Sequence, residues 1–227
     1  MDADYSQIEL RVLAHIAGDQ TMRSAFASGM DIHTVTASQV FGVAPEQVTA
    51  LQRRHAKAVN FGIVYGISEF SLAEDIGVSR YEAKEYIESY LANYKGVKAY
   101  MKQVVEDARS VGYTQTMYGR KRYIPELKSS NFNVRQGAER IALNTPIQGT
   151  AADLIKLAMI RVDKALAEQF PDAKLLLQVH DELIVECPEE IAPQVAQLVG
   201  AEMEAVAKLN VPLLAEAKWG KNWYEAK

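Results

Sequence analysis

The most distinct hydrophobic pattern in the chain lies at residues 174–187, where two short apolar runs flank a His-Asp-Glu triplet. Apolar runs of this length at residues 175–177 and 183–185 are typical of buried strands. The pattern therefore predicts a hairpin whose turn, at residues 180–182, places a carboxylate at the edge of a sheet. Such a turn is either an ordinary charged turn or a functional site, because a carboxylate in a buried setting needs a partner or a metal ion.

A second change of pattern lies near the N-terminus, where a predicted strand turns into a helix just after Asp4. Ile8, Val12 and Leu13 follow at helical spacing, and Gly18 is expected to end the helix. The free N–H groups at the start of a helix favour anions nearby. Asp4 is therefore the carboxylate that we expect to face the hairpin turn. Because the strand before it is so short, we also expect the chain to be cut from a longer protein.

Cationic and then aromatic residues recur every four positions along the helix predicted after residue 45. They are Arg53, Lys57, Phe61 and Tyr65. A step of four residues turns the helix by about 400°, so these side chains share one face over ~18 Å. The face runs from cationic to aromatic and could bind a polyphosphate at one end and stack on a ring at the other. The alternative is a solvated basic turn followed by core aromatics. Gly62 indicates close approach of another group, since glycine inside a helix costs ~1 kcal/mol.

Capping residues delimit several other predicted helices. Asp31 is a candidate N-cap of the helix that carries His33, and Ser79 and Glu82 have the spacing of a capping box. A lone histidine is most often structural, so His33 attracts little attention by itself.

Pro146 is expected to end a helix at residues 131–143, before a second long helix at residues 151–169. Asn144 and Gln148 lie at this junction. Their amides either cap the helix or reach bases and sugars as neutral donors.

Composition and charge set broad limits. The 227 residues carry a formal net charge of −4, so any phosphate-binding surface must be local. The densest basic cluster, residues 120–122, lies between two tyrosines, a pattern suited to a phosphate backbone. The single cysteine excludes a disulfide framework and is typical of a reducing compartment. No apolar run reaches the ~20 residues that span a bilayer.

Three of these stretches resemble the signature motifs of family A DNA polymerases, the bacterial DNA polymerase I group. Residues 4–11, Asp-Tyr-Ser-Gln-Ile-Glu-Leu-Arg, are similar to the first palm motif. Residues 53–66 are similar to the fingers helix, which has the form Arg-x3-Lys-x3-Phe-x3-Tyr-Gly. Residues 179–182, Val-His-Asp-Glu, are similar to the final palm motif. Their order and separations also fit the family.

The resemblance implies a metal-dependent catalytic site. Asp4, Tyr5 and Asp181 would form the set that binds two Mg²⁺ ions, with Asp4 and Asp181 as its carboxylates and Glu182 as an auxiliary acid. Phosphoryl transfer needs charge neutralisation on the triphosphate and on the attacking oxygen, which two metal ions provide. Mg²⁺ uses few carboxylates, so two aspartates suffice. Lys57 would also belong to the catalytic set.

The resemblance further implies binding sites for deoxynucleoside triphosphates and for primer–template DNA. Glu9 would act as a steric gate against a ribose 2′-OH, Lys57 and Arg53 would hold the triphosphate, and Phe61 would pack on the sugar and base. The implied nucleotide-binding set is Gln7, Glu9, His33, Arg53, Lys57, Phe61 and Tyr65, and the implied DNA-binding set is Arg140, Asn144, Gln148 and His180.

The expected fold is α+β, with an antiparallel palm sheet, packed helices and a mainly helical fingers subdomain. The expected division is palm at residues 1–20 and 140–227 and fingers at 21–139. The expected function is template-directed DNA synthesis by the palm and fingers, in the cytoplasm of a bacterium or a phage-infected cell, with the N-terminal portion of the polymerase as a missing partner. The alternative is a remnant that binds nucleotide or DNA without extending a primer.

Overall fold

The computed structural model describes residues 1–226. In chain order the elements are β1 (Asp2–Tyr5), α1 (Ile8–Ala17), α2 (Gln20–Ala27), α3 (Ile32–Phe41), α4 (Ala50–Val64), α5 (Glu69–Ile76), α6 (Arg80–Asn93), α7 (Lys95–Val111), β2 (Tyr113–Gln115), β3 (Lys121–Tyr123), α8 (Phe132–Gln169), β4 (Lys174–Val179), β5 (Glu182–Glu186), α9 (Ala192–Glu204) and β6 (Ala215–Lys218). Short 3-10 helices lie at Pro45–Gln47, Pro125–Lys128 and Glu189–Ile191.

The described residues form two compact units. One combines Met1–Ile8 with the residues from Ala151 onward, and the other is Glu9–Thr150. The predicted α+β class, with an antiparallel sheet and packed helices, is confirmed. A helix with the length and apolar character needed to cross a bilayer does not occur within residues 1–226.

The first unit is built on a four-stranded antiparallel sheet in the order β4-β5-β1-β6. Helix α9 packs on β1 and β6 and buries Val195, Val199 and Met203. The buried Tyr5 hydroxyl donates a hydrogen bond to the Met203 carbonyl at 2.7 Å. This bond fixes the end of β1, directly after Asp4, against α9.

The burial of the predicted hairpin strands is confirmed for β5 and wrong for β4. Leu183 and Val185 on β5 are almost completely buried, whereas Leu176 and Leu177 on β4 are 50% and 55% exposed. β4 is an edge strand of the sheet, and its pairing with β5 shifts register between Leu175 and Leu177. An apolar run cannot reveal whether its strand lies at the centre or the edge of a sheet.

Helices dominate the second unit, and the predicted capping signals begin two of them. The Asp31 side chain accepts the Thr34 N–H at the start of α3. Ser79 and Glu82 form a complete capping box at the start of α6. Gly62 in α4 is also explained, because a Cβ there would lie 2.7 Å from Ile67 Cγ2.

Asp19 ties α2 to α7. Its carboxylate accepts the Met22 N–H at 3.0 Å and the Gly96 N–H at 2.8 Å. A Cβ at residue 96 would lie 2.8 Å from the Asp19 Cα, so only glycine fits there without a backbone shift. One buried carboxylate therefore accepts hydrogen bonds from N–H groups at the starts of two helices, which have no partner within their own helix.

The expectation that Pro146 ends a helix is wrong. Helix α8 continues through it from Phe132 to Gln169. Proline removes the N–H that would bond the carbonyl four residues earlier, which belongs to Ala142. The buried Thr114 hydroxyl, on β2, donates to this carbonyl at 3.5 Å. The carbonyl that the proline leaves without a helical donor thus has a long tertiary contact instead, which no local pattern could predict.

Candidate active site

Acidic side chains meet on the sheet of the first unit. Asp4 on the central strand β1 is paired with Glu182 on β5 and with Glu216 on β6. The Tyr5 N–H donates to the Asp181 carbonyl at 3.2 Å, which joins the end of β1 to the hairpin turn. Asp4 and Asp181, more than 170 positions apart in the chain, are thus neighbours, and an open pocket of about 350 Å³ lies beside Asp4 and Glu182.

Strained backbone marks both junctions that carry these carboxylates. Within residues 1–226, the non-glycine residues with positive φ are Gln7, at 54°, and His180, at 52°. Such angles are uncommon outside glycine, and backbone strain of this kind clusters at functional sites. Gln7 lies between β1 and α1, and His180 opens the turn that carries Asp181. Both residues belong to the sets that the sequence assigns to substrates.

The electrostatic setting disfavours two ionised aspartates. Burial, with repulsion from Asp181 and Glu182, raises the pKa of Asp4 to about 7. Burial also raises the pKa of Asp181, and repulsion from Glu182 acts in the same direction. A cation beside the two carboxylates would relieve this repulsion.

The donor set fits a hard divalent cation. Asp4 and Asp181 offer carboxylate oxygens, which Mg²⁺ prefers, and Mg²⁺ keeps waters or substrate phosphates as its other ligands. Within residues 1–226 no group of three or more histidine, cysteine, aspartate or glutamate side chains is placed so that it could hold a metal ion by itself.

The predicted cation-to-aromatic face of α4 is present in the second unit. Arg53 and Lys57 are exposed, Phe61 is half-buried and Tyr65, at the C-cap, is exposed. Asp31 holds Arg53 in a forked salt bridge, with Nε at 2.7 Å and Nη2 at 2.9 Å from the carboxylate oxygens. Two of the five guanidinium N–H donors are thus used, and the others remain available to a ligand.

Glu9 and Tyr65 are brought together in this unit. The Tyr65 hydroxyl donates to Glu9 Oε2 at 2.8 Å. The bond holds the Glu9 carboxylate beside the aromatic end of α4.

His33 lies next to the same face but is only 2% exposed. Its ring centroid is 5.8 Å from that of Phe61, and its Nδ1 is 3.0 Å from the Asn60 amide nitrogen. Burial lowers the pKa of His33 to about 4. The histidine is therefore neutral at physiological pH.

Three of the four predicted DNA-binding residues share one stripe of α8. Arg140 and Gln148 are exposed, and Asn144, between them, is half-buried. Arg140 packs against Gly66, where a Cβ would lie 3.1 Å from the arginine Cγ. The Asn144 Oδ1 has no hydrogen-bond partner within residues 1–226. His180, the fourth, lies in the other unit and is exposed.

Sequence reasoning missed several residues around these sets. The salt bridge of Asp31 to Arg53 and the contact of Asn60 with His33 join residues 22 and 27 positions apart, respectively. Glu216 gave no signal because its place beside Asp4 depends on the pairing of β6 with β1, which joins residues more than 200 positions apart. The four-residue spacing in α4 revealed the shared face of Arg53, Lys57, Phe61 and Tyr65 but not the residues that pack behind it.

Neighbouring carboxylates that can hold divalent ions, together with cationic side chains suited to phosphates, are the groups used by enzymes that transfer phosphoryl or nucleotidyl groups, polymerases among them. Within that class, the chain belongs to DNA polymerase family A, whose family model matches residues 1–225.

Curated bacterial relatives match this chain in sequence over 99–100% of its length. It is 54% identical over 228 residues to DNA polymerase I of Lactococcus lactis subsp. cremoris (strain MG1363), a match that covers 100% of this chain and 26% of the relative. It is 55% identical over 225 residues to DNA polymerase I of Geobacillus stearothermophilus, covering 99% of this chain and 26% of the relative. The chain thus spans about a quarter of the length of these relatives.

A solved structure shares the fold. The POL domain of Pol1 from M. smegmatis, in complex with DNA primer-template and dNTP, superposes with a TM-score of 0.94 at 46% identity. The match covers 99% of this chain and 40% of that chain.

Proposed function

We propose that the chain is the catalytic palm-and-fingers portion of a template-directed DNA polymerase, which adds deoxynucleotides to a primer 3′ end. The observation that carries this proposal is the meeting of Asp4 and Asp181 at one end of the sheet, in a chain that belongs to family A. The palm would comprise residues 1–20 and 140–227, and the fingers residues 21–139.

The carboxylate pair would bind the divalent ions. Asp4 and Asp181 would hold two Mg²⁺ ions, with the Tyr5 backbone beside them and Glu182 as an auxiliary acid. When bound, the ions supply charge neutralisation on the triphosphate and on the attacking oxygen. The chain's own contribution is to fix the two carboxylates through the Tyr5–Asp181 backbone bond and the strained turn at His180.

The exposed face of α4 would bind the incoming nucleotide. Lys57 offers a point charge to the phosphates, and Arg53, oriented by Asp31, offers its remaining N–H donors. Phe61 would pack on the sugar and base. Glu9, held by Tyr65, would exclude a ribose 2′-OH, and His33 and Gln7 would complete the nucleotide site.

Primer–template DNA would contact α8 and the hairpin turn. Arg140 is suited to phosphate, while Asn144 and Gln148 are neutral hydrogen-bonding groups suited to base edges or sugars. His180 would add a contact near the primer terminus.

A hybrid enzyme tests the proposal. This chain would replace the matching segment of a bacterial DNA polymerase I relative, and extension of a labelled primer would be measured with all four deoxynucleotides and Mg²⁺. We expect templated extension by the hybrid. A hybrid that folds and binds deoxynucleotide by fluorescence titration, yet extends no primer, would support the alternative of a binding remnant.

A further inference from the structure

A buried chain of hydrogen bonds runs behind the nucleotide-facing side of α4 and ends at His33. The Tyr94 hydroxyl is 2.9 Å from the Thr36 hydroxyl, which is 3.1 Å from Asn60 Oδ1. The Asn60 amide nitrogen is in turn 3.0 Å from His33 Nδ1. Tyr94, Thr36 and Asn60 have no exposed surface, so water does not compete for these bonds.

Which group donates in each of these hydrogen bonds follows from Tyr94, at the end of the series away from His33. Within residues 1–226, the only hydrogen-bond partner of the Tyr94 hydroxyl is Thr36. Burial raises the pKa of Tyr94 to about 12, so the phenol keeps its proton. A buried O–H without an acceptor is costly, and Tyr94 must therefore donate to Thr36. Thr36 then donates to Asn60 Oδ1, which leaves the Asn60 N–H group facing His33.

This direction defines the protonation of the histidine. Because Nδ1 accepts the Asn60 N–H, the proton of the neutral ring is on Nε2. An imidazolium would place an Nδ1–H donor against the Asn60 donor, so the chain of bonds also opposes protonation. Burial, with Arg53 and Lys57 nearby, lowers the pKa of His33, while Asp31 acts in the opposite direction.

We propose that Asn60 is a positioning residue that holds His33 as the neutral tautomer protonated on Nε2, so that the ring presents one N–H donor to a phosphate oxygen of the bound triphosphate. The proposal rests on the proposed function for its ligand, but not for its geometry. Nε2 forms no hydrogen bond within residues 1–226 and is not among the buried polar atoms that lack a partner. It is therefore the ring nitrogen left to meet a ligand.

The first test measures the tautomer in the unmodified chain. Long-range ¹H–¹⁵N NMR of the histidine-labelled protein distinguishes a protonated from an unprotonated ring nitrogen, and the His33→Gln variant identifies the His33 signals among the four histidines. We expect a protonated Nε2 and an unprotonated Nδ1 at pH 7. A proton on Nδ1 would overturn the proposal whether or not the Asn60 variants fold.

The second test links the tautomer to anion binding. Asn60→Asp replaces the amide by an acceptor, and at pH ~8.5, where a histidine beside a carboxylate is expected to stay neutral, it should move the His33 proton from Nε2 to Nδ1. Affinity for inorganic tripolyphosphate, measured by calorimetry without metal at constant ionic strength, should fall about 10-fold, the scale of one hydrogen bond to a charged group.

A double-mutant cycle separates this effect from the added charge. In the His33→Gln background, Asn60→Asp retains only its charge effect, so its cost should be at least threefold smaller. An equal cost in both backgrounds would contradict the positioning role. Absence of tripolyphosphate binding by the unmodified chain would instead contradict the proposed nucleotide site, and the NMR tautomer would still decide the role of Asn60.

Discussion

Asp31 performs two stabilising roles, and two substitutions separate them. Its carboxylate caps α3 by accepting the Thr34 N–H at 2.8 Å, and it pairs with Arg53 in a forked salt bridge. An N-cap contributes ~1 kcal/mol. The salt bridge, whose side chains are 47% and 31% exposed, contributes at most ~1 kcal/mol. Asp31→Ala should therefore lower the free energy of unfolding by about 1.5–2 kcal/mol. Asp31→Asn keeps a good N-cap and should lower it by about 0.5–1 kcal/mol.

Urea unfolding followed by circular dichroism measures both losses, and pH provides an internal check. Burial by itself raises the pKa of Asp31, but the hydrogen bonds from Arg53 and Thr34 outweigh it and leave the pKa below the ordinary 3.8. A carboxyl group with a lowered pKa stabilises the fold above its unfolded-state pKa and loses this contribution as pH falls through the folded-state value. The difference in the free energy of unfolding between the unmodified chain and Asp31→Asn should thus have its full value at pH 6 and decrease below pH ~3.5.

Equal losses for Asp31→Ala and Asp31→Asn at pH 6 would refute the capping role. A double-mutant cycle with Arg53→Gln tests the salt bridge, and we expect a coupling energy of about 0.5 kcal/mol that declines with salt. A coupling energy of zero would show that Asp31 does not hold Arg53 in solution.

Four other substitutions test separate parts of the site and the fold. In the hybrid polymerase, Glu9→Ala should raise incorporation of ribonucleotides relative to deoxynucleotides, because the carboxylate no longer blocks the 2′-OH; an equal loss with both substrates would assign Glu9 a structural role. Lys57→Ala should weaken competition by pyrophosphate about 10-fold while Phe61→Ala changes it little, because the charge faces phosphate and the ring faces sugar; unchanged pyrophosphate affinity in the lysine variant would contradict the assignment. Gly96→Ala should destabilise the chain by about 1–3 kcal/mol in urea unfolding, because the new Cβ would lie 2.8 Å from the Asp19 Cα; a loss below about 0.5 kcal/mol would mean that α7 shifts at little cost.

Local signals in the sequence predicted much of the fold and the site. Asp31 and the Ser79–Glu82 pair were recognisable caps because their hydrogen bonds span only three residues. The four-residue period in α4 predicted a shared face because helix geometry alone fixes it. The hairpin turn with Asp181 was recognisable because the apolar runs on either side have the length of strands.

Features that depend on tertiary contacts could not be predicted. Pro146 carries a strong local signal for a helix end, but α8 continues through it, and the carbonyl that it leaves without a helical donor faces the Thr114 hydroxyl of a distant strand. The exposure of Leu176 depends on the order of strands in the sheet, which its neighbours in sequence do not encode. The role of Asn60 depends on a bond to a residue in another helix.

The central claim is that Asp4 and Asp181 together bind the ions that support nucleotidyl transfer. Single-turnover primer extension by the hybrid polymerase, with Asp181→Asn compared with Asp172→Asn, tests it most directly, since both variants lose one negative charge and only Asp181 lies beside Asp4. The account predicts a loss on the order of 10²-fold or more for Asp181→Asn and a rate within about twofold of the unmodified hybrid for Asp172→Asn. Equal rates for the two variants would contradict it.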